Sequence, residues 1–178
     1  METIIFNKLF RNERVIPVLF IDILKKYGFN IKLIDDYNSC ASLIVKRKNQ
    51  LEITKYVYIN KSFFLDELDI NEKNYFLGYI FSIFIIYYKG QKIYRHDIKN
   101  KILDLNTVSD LTTSLLITDK ELNNDYYELL QKGTPLEDTL EFISKKYMIP
   151  RYNIYKKISE LYNINYKEYK KNINCPPK

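Results

Sequence analysis

Few side chains in this 178-residue chain could perform metal or acid–base chemistry. The chain has one histidine, His96, in the run Tyr-Arg-His-Asp, and two cysteines, Cys40 and Cys175, far apart in the sequence. Metal sites in proteins need Cys, His or carboxylates clustered at short, fixed spacings. These three residues form no such cluster. We therefore interpret His96 as a surface side chain and both cysteines as free thiols in a reducing compartment.

Other catalytic patterns are equally sparse. The paired acids Asp35–Asp36 and Asp66–Glu67 could in principle act as acid and base, but both pairs lie beside predicted turns. Only four glycines are present, and no Gly-rich phosphate loop or nucleophile elbow occurs. We expect no catalytic residue, no metal and no cofactor. An enzyme of another class, with carboxylates assembled by the fold, stays an alternative.

The positive charge of the chain is concentrated near its C-terminal end. Residues 144–178 carry nine Lys or Arg against two acids, whereas residues 1–143 hold 19 basic and 20 acidic side chains. Tyr147, Tyr152 and Tyr155 lie among them. Basic side chains neutralise phosphates and aromatic rings stack on bases, so this end is a candidate site for nucleic acid or an acidic partner. Its proposed binding residues are Lys145, Lys146, Arg151, Lys156 and Lys157. The alternative is a solvated helix face with lysine stems lying along the surface.

The longest uncharged run, residues 74–88, lies between Lys73 and Lys89 and reads NYFLGYIFSIFIIYY. At ~1.5 Å per residue a helix of this length spans roughly 22 Å, too short for a bilayer, which needs about 20 apolar residues. We predict a central buried helix over Glu72–Tyr88. Because no cleavable signal opens the chain either, the expected location is cytoplasmic, with no membrane contact.

The first part of the chain is predicted to form helices and a small sheet. A short helix is expected over Ile4–Arg14. A second has Pro17 in its first turn, an apolar face over Leu19–Tyr27 and Gly28 as its stop. Alternation and β-branched content predict three antiparallel strands, at Phe29–Ile34, Ser42–Lys46 and Lys55–Asn60. Residues 91–104 are mixed in pattern and allow a short helix.

The rest of the chain reads as helical. Helices are predicted over Val108–Ile117 and Asp119–Leu130, and Thr134–Glu137 has the form of a capping box with Pro at the first helical position. That box opens a helix to about Tyr147, and Pro150 opens the last one. The expected fold class is α+β, a three-stranded sheet on a helical core. The expected domains are a core over 1–132, a helix-turn-helix-like pair over 133–166 and a basic tail over 167–178.

Three segments carry a resemblance by their order and spacing. Tyr56–Asn60 (YVYIN) is a strand ending in Ile-Asn, Asn74–Ile83 (NYFLGYIFSI) is the next helix, and Ser114–Thr118 (SLLIT) ends a later one. This order resembles the ImmA/IrrE family of metallopeptidases over about residues 17–163. In that family the central helix has the form R-F-T-L-A-H-E-L-G-H, the later helix is followed by Leu-Leu-Met-Pro, and C-terminal helices like Pro135–Leu161 follow.

The resemblance implies a lost metal site. Two His one turn apart hold Zn²⁺ in such enzymes, and the Glu beside the first activates the bound water. Laid on that motif, the positions become Tyr79, Ile80 and Ile83, and the third ligand falls near Leu105. Isoleucine cannot bind a metal. The resemblance therefore implies a degenerate, zinc-free relative.

Two functional hypotheses follow. The first is a non-catalytic pseudo-peptidase that binds a protein partner as an inhibitor, antirepressor or regulatory subunit. It would be of phage or mobile-element origin, since family members often occur there. The alternative is a nucleic-acid-binding regulator that uses the basic C-terminal helices. The sequence does not indicate an oligomeric state.

Overall fold

The computed structural model describes residues 16–35, 38–49, 51–99 and 106–162, and it has an α+β architecture. Its strands are β1 (Phe29–Ile34), β2 (Ala41–Arg47), β3 (Ile53–Asn60) and β4 (Ile93–Ile98). Its helices are α1 (Phe20–Lys26), α2 (Ile70–Tyr87), α3 (Asn106–Leu116), α4 (Asp119–Gln131), α5 (Leu136–Tyr147) and α6 (Arg151–Tyr162), with a π-helical turn at Phe63–Glu67 before α2. The predicted helix at Ile4–Arg14 and the basic tail at 167–178 lie outside the described residues.

The four strands form one mixed sheet in the order β1-β3-β2-β4. Strand β2 is antiparallel to β3 and to β4, whereas β1 runs parallel to β3. The α+β class is thus confirmed, but the predicted three-stranded antiparallel sheet is wrong in strand number and in the direction of β1. Consecutive strands β1, β2 and β3 alternate in direction. Because β2 pairs on the far side of β3, β1 meets β3 directly, and the two point the same way.

Strand β4 replaces the short helix that the mixed pattern of residues 91–104 allowed. Its burial alternates over part of its length: Tyr94 and His96 are half-buried, while Arg95 between them is exposed. Tyr94 pairs with the buried Val45 of β2 and His96 with the buried Leu43. A period of two indicates a strand even where its residues are polar.

The uncharged run forms the central helix, as predicted. Helix α2 begins two residues earlier than expected because Asp69 and Glu72 form a reciprocal capping box, with N···O distances of 2.8 and 3.0 Å. Every side chain from Asn74 to Ile83 is buried. The apolar residues among them form one hydrophobic cluster with Ala41, Leu43 and Val45 of β2 and Val57 and Ile59 of β3.

Helix α1 is fastened to α2 by a side chain from α2. The amide of Asn74 accepts a hydrogen bond from the backbone N–H of Phe20 (2.9 Å) and donates one to the carbonyl of Val18 (2.9 Å). This bond satisfies an N–H at the start of α1, which has no side-chain cap of its own. At the other end Gly28 has φ of +72°, the left-handed conformation that the predicted stop requires.

The capping box predicted at Thr134–Glu137 is wrong. Pro135 has ψ of 151°, so it occupies the N-cap position, α5 begins at Leu136, and no side chain caps it. The backbone N–H of Thr134 donates to the carbonyl of Leu129 (3.0 Å) and so closes the end of α4. Leu136, expected to point inward, is 40% exposed, whereas Leu140 and Ile143 are buried as predicted.

Helices α5 and α6 form a pair joined by the three residues 148–150. The turn uses Met148 in the left-handed conformation (φ 53°), a place where glycine is usual. The predicted domain boundary at residue 132 falls in the turn between α4 and α5. Residues on both sides of it, such as Leu77 and Ile154, belong to the same hydrophobic cluster.

Candidate functional site

The positions that the resemblance would assign to a metal site lie inside the hydrophobic core. Tyr79 is 3% exposed, and Ile80 and Ile83 are fully buried. All three belong to the core cluster that includes the inward residues of β2 and β3. Leu105, the expected third position, lies outside the described residues. Within the described ranges no group of three or more His, Cys, Asp or Glu could hold a metal ion.

A buried polar network joins α2, α3 and α6. The hydroxyl of Tyr75 lies 2.8 Å from Ser109 Oγ, donates to the Ser109 carbonyl (3.0 Å) and lies 3.2 Å from Thr113 Oγ1. Asn153 of α6 donates to the same hydroxyl at 2.9 Å. Burial raises the pKa of Tyr75, which keeps its phenol neutral. The hydroxyls bond to one another and to an amide, so the network ties helices together and offers a nucleophile no general base.

The interface between α2 and α3 contains a second polar contact, two helical turns further along α2. The Thr112 hydroxyl donates to the carbonyl of Val108 (2.7 Å) and lies 2.9 Å from Ser82 Oγ, within hydrogen-bond distance. Tyr75 and Ser82 are seven residues apart, so they lie on one face of α2. The sequence analysis did not single these residues out. Polar residues at this spacing inside an otherwise apolar run were the signal.

The five basic residues proposed as a binding site each contact a carboxylate. Lys156 pairs with Asp110 and Lys157 with Asp119, and both lysines are mostly buried (side chains 19% and 16% exposed). These ion pairs connect α6 to α3 and to the start of α4. The remaining pairs are Lys146 with Asp125 (2.8 Å), and Lys145 (2.9 Å) and Arg151 (3.3 Å) with Glu141.

The electrostatics of the Glu141 pairs favour its charged carboxylate. The hydrogen bond from Lys145, helped by the charges of Lys145 and Arg151, lowers the pKa of Glu141. Asp125 is 9% exposed, and Lys146 also lies 5.3 Å from the centre of the Tyr147 ring. The basic cluster is therefore largely neutralised within the protein.

The aromatic residues among these lysines are mostly unavailable to a ligand. Tyr147 is 2% and Tyr155 5% exposed, whereas Tyr152 is 40% exposed. Next to the cluster, a small depression between α3 and α6 brings opposite charges together. Its lining residues are Asp110, Thr113, Ser114, Asn153, Lys156, Lys157 and Glu160.

His96 is half-buried between aromatic rings, not fully at the surface as predicted. Its ring stacks on Tyr87 (5.9 Å between centres) and on Tyr94 (6.4 Å). Burial lowers the pKa of His96, although the neighbouring charge of Asp97 acts in the opposite direction. Cys40 is also half-buried and donates weakly to the Lys99 carbonyl (3.9 Å). Cys175 lies outside the described residues.

Comparison of the chain with protein-family models, with curated proteins and with solved structures returned no match. Among the helices in the described part of the chain, none combines the length and the apolar character needed to cross a membrane.

Proposed function

We propose that this chain is a non-catalytic binding protein, built on a scaffold like that of the ImmA/IrrE metallopeptidases and acting on a protein partner. The burial of Ile80 and Ile83 carries the proposal. A hydrolytic metal needs an open coordination position for water, and the buried surroundings of these two isoleucines leave none. The same surroundings would strongly disfavour the unpaired catalytic carboxylate that such an enzyme needs at position 80. An inhibitory, antirepressor or regulatory role, and a phage or mobile-element origin, rest on the family resemblance alone.

Exposed apolar side chains on neighbouring helices support a protein partner. Leu130 near the end of α4 is 45% exposed, and Leu136 and Phe142 of α5 are 40% and 50% exposed. We call these three residues the α4–α5 outer surface. Aromatic residues are enriched at protein interfaces, so the exposed Phe142 is a candidate contact for a partner.

The first test asks whether the protein carries a metal or cleaves peptide bonds. The purified full-length chain is incubated with zinc, dialysed, and analysed for bound metal and for cleavage of casein and of repressor proteins from the same genome. We expect far less than one zinc per chain and no cleavage. Stoichiometric zinc together with cleavage of any substrate would contradict the proposal.

The second test locates the partner surface. Tagged wild-type protein and the variant Phe142→Glu are used to capture partners from the native host, and Leu51→Glu serves as a matched control. Leu51 is 96% exposed in the β2–β3 loop, away from α4 and α5. We expect one protein to be captured by the wild type and the control and lost from Phe142→Glu. Identical captures by all three would exclude this surface.

One observation favours the nucleic-acid alternative, namely the exposure of side chains near the start of α6. Lys145 and Arg151 have side chains 72% and 53% exposed, and Tyr152 lies beside Arg151 at the start of α6. That helix would have to enter a major groove. Their contacts with Glu141 reduce the charge available to phosphates, so we rank this alternative second. The nucleic-acid alternative predicts that the protein binds duplex DNA, that the affinity falls with added salt, and that Arg151→Ala abolishes the binding.

A further inference from the structure

One face of the sheet turns a row of polar and aromatic side chains away from the core. The register places Tyr56 of β3 between Asn30 of β1 and Ile44 of β2, and Tyr58 between Lys32 and Ser42. Strand β4 adds the outward residues opposite Ile44 and Ser42. Ser42 on this side of the sheet is fully buried. We call the following set the open sheet face: Lys32, Lys46, Tyr56, Tyr58, Arg95 and Asp97.

Its centre is an aromatic pair on the inner strand β3. The rings of Tyr56 and Tyr58 are nearly parallel, with 9° between their planes and 6.1 Å between their centres. Both residues are half-buried, so part of each ring faces solvent. Exposed aromatic rings on a sheet offer stacking surfaces to unpaired bases.

The charges around this pair are mainly positive. Lys32 and Lys46 are exposed, and neither contacts a carboxylate within the described part of the chain. The acid on this face, Asp97, accepts hydrogen bonds from Ser42 and from Arg95 (3.0 Å), so its charge is locally compensated. The five C-terminal basic residues differ, because each of them is paired with an acid.

We infer that the open sheet face binds single-stranded nucleic acid, with bases stacked on Tyr56 and Tyr58 and phosphates on Lys32 and Lys46. Four strands at about 4.8 Å spacing are about 14 Å across. That is wider than a major groove of about 12 Å, so a duplex does not fit this face. A protein partner fits less well, because the cores of protein interfaces are depleted in charged residues. This inference goes beyond the proposed function and uses a different surface.

The test uses the full-length protein and fluorescein-labelled oligo(dT) and oligo(U) of about 15 nucleotides, a length within the range that single-strand binding folds cover. Fluorescence anisotropy reports affinity. We expect binding to single strands in preference to a duplex of equal length. For two phosphate contacts, affinity should fall about seven-fold between about 50 and about 200 mM NaCl.

Matched variants locate the site. Tyr56→Leu with Tyr58→Leu keeps apolar side chains on the strand but removes the rings, and should weaken binding about ten-fold or more. Lys32→Gln with Lys46→Gln should reduce the slope of log affinity against log salt by about 1.4. The controls Tyr127→Leu and Lys120→Gln, exposed positions on α4, should bind like wild type.

A measurement on the wild type covers the case in which the tyrosine variants fail to fold. Irradiation with a 5-iodouracil oligonucleotide, followed by mass spectrometry, should place the cross-link within residues 53–60. Cross-links confined to residues 145–157, a preference for duplex, or absence of binding to either oligonucleotide would each overturn the inference. Absence of binding would leave the proposed protein-binding role unchanged, whereas cross-links confined to residues 145–157 or a preference for duplex would favour the nucleic-acid alternative.

Discussion

Gly78 lies where the ring of Phe20 packs against the backbone of the central helix. A Cβ atom at this position would lie 2.5 Å from Phe20 Cε2 and 2.7 Å from Cδ2. The ring is 1% exposed and packs on Phe81, 5.9 Å between centres. Alanine is normally better than glycine in a helix by about 0.5–1 kcal/mol, but overpacking a core costs about 1–3 kcal/mol. We therefore expect Gly78→Ala to lower the free energy of unfolding, measured by urea denaturation.

The double variant Gly78→Ala with Phe20→Leu tests this cause. The smaller side chain makes room for the methyl group, so the double variant should lose less stability than the sum of the two single variants. An unchanged or increased stability of Gly78→Ala alone would show that the ring can move aside at no cost.

His96 should make stability depend on pH. Its pKa is lowered from about 6.5 by burial against Tyr87 and Tyr94, so the folded state binds a proton less readily than the unfolded state. Its contribution is present above pH 6.5 and is lost as the pH falls through the folded-state pKa. We expect the urea midpoint of the wild type to fall between pH 7.5 and 5.5 more than that of His96→Phe. That variant keeps an aromatic ring and cannot be protonated. Equal pH dependence of the two proteins would contradict the assignment.

At the scale of elements, the sequence predicted the helices and strands whose pattern is long or regular. The uncharged run predicted α2, and Gly28 predicted the end of α1. Strand β4 was missed because Arg95, His96 and Asp97 obscure its alternation. The direction of β1 could not be predicted, because pairing order depends on contacts between residues far apart in the chain.

Helix starts show how a local pattern can mislead. Thr118 and Glu121 form a reciprocal capping box at the start of α4, whereas Thr134, which fits the same pattern, does not cap α5. Thr118→Ala should therefore cost about 1 kcal/mol of stability, while Thr134→Ala should cost less than about 0.5 kcal/mol. Thermal and urea denaturation of the two variants provide the comparison. Equal losses would indicate that Thr134 also caps a helix in solution.

At the scale of the whole molecule, charge and hydrophobicity are distributed differently from what the chain order suggests. The five basic residues of α5 and α6 form ion pairs with acids of α3, α4 and α5. A chain in which residues 1–143 are nearly neutral therefore supplies the partners for its basic end. Net charge per segment predicted the cluster of lysines but not its neutralisation. Only the packing of helices brings Asp110 next to Lys156 and Asp125 next to Lys146.

The closed interior of the fold yields the last prediction. Because Ile80 is fully buried in the core, a carboxylate there cannot be hydrated, and Ile80→Glu should lose more than about 3 kcal/mol of stability or fail to fold. Ile80→Ala, which leaves only a cavity, should lose about 2–5 kcal/mol and remain measurable by urea denaturation. Ile70→Glu is the matched control, because Ile70 is the first residue of the same helix and is 70% exposed. A glutamate there should be neutral or slightly stabilising, since an acid favours a helix N-terminus. Near-wild-type stability of Ile80→Glu would mean that water reaches this position. The non-catalytic proposal would then lose its main support.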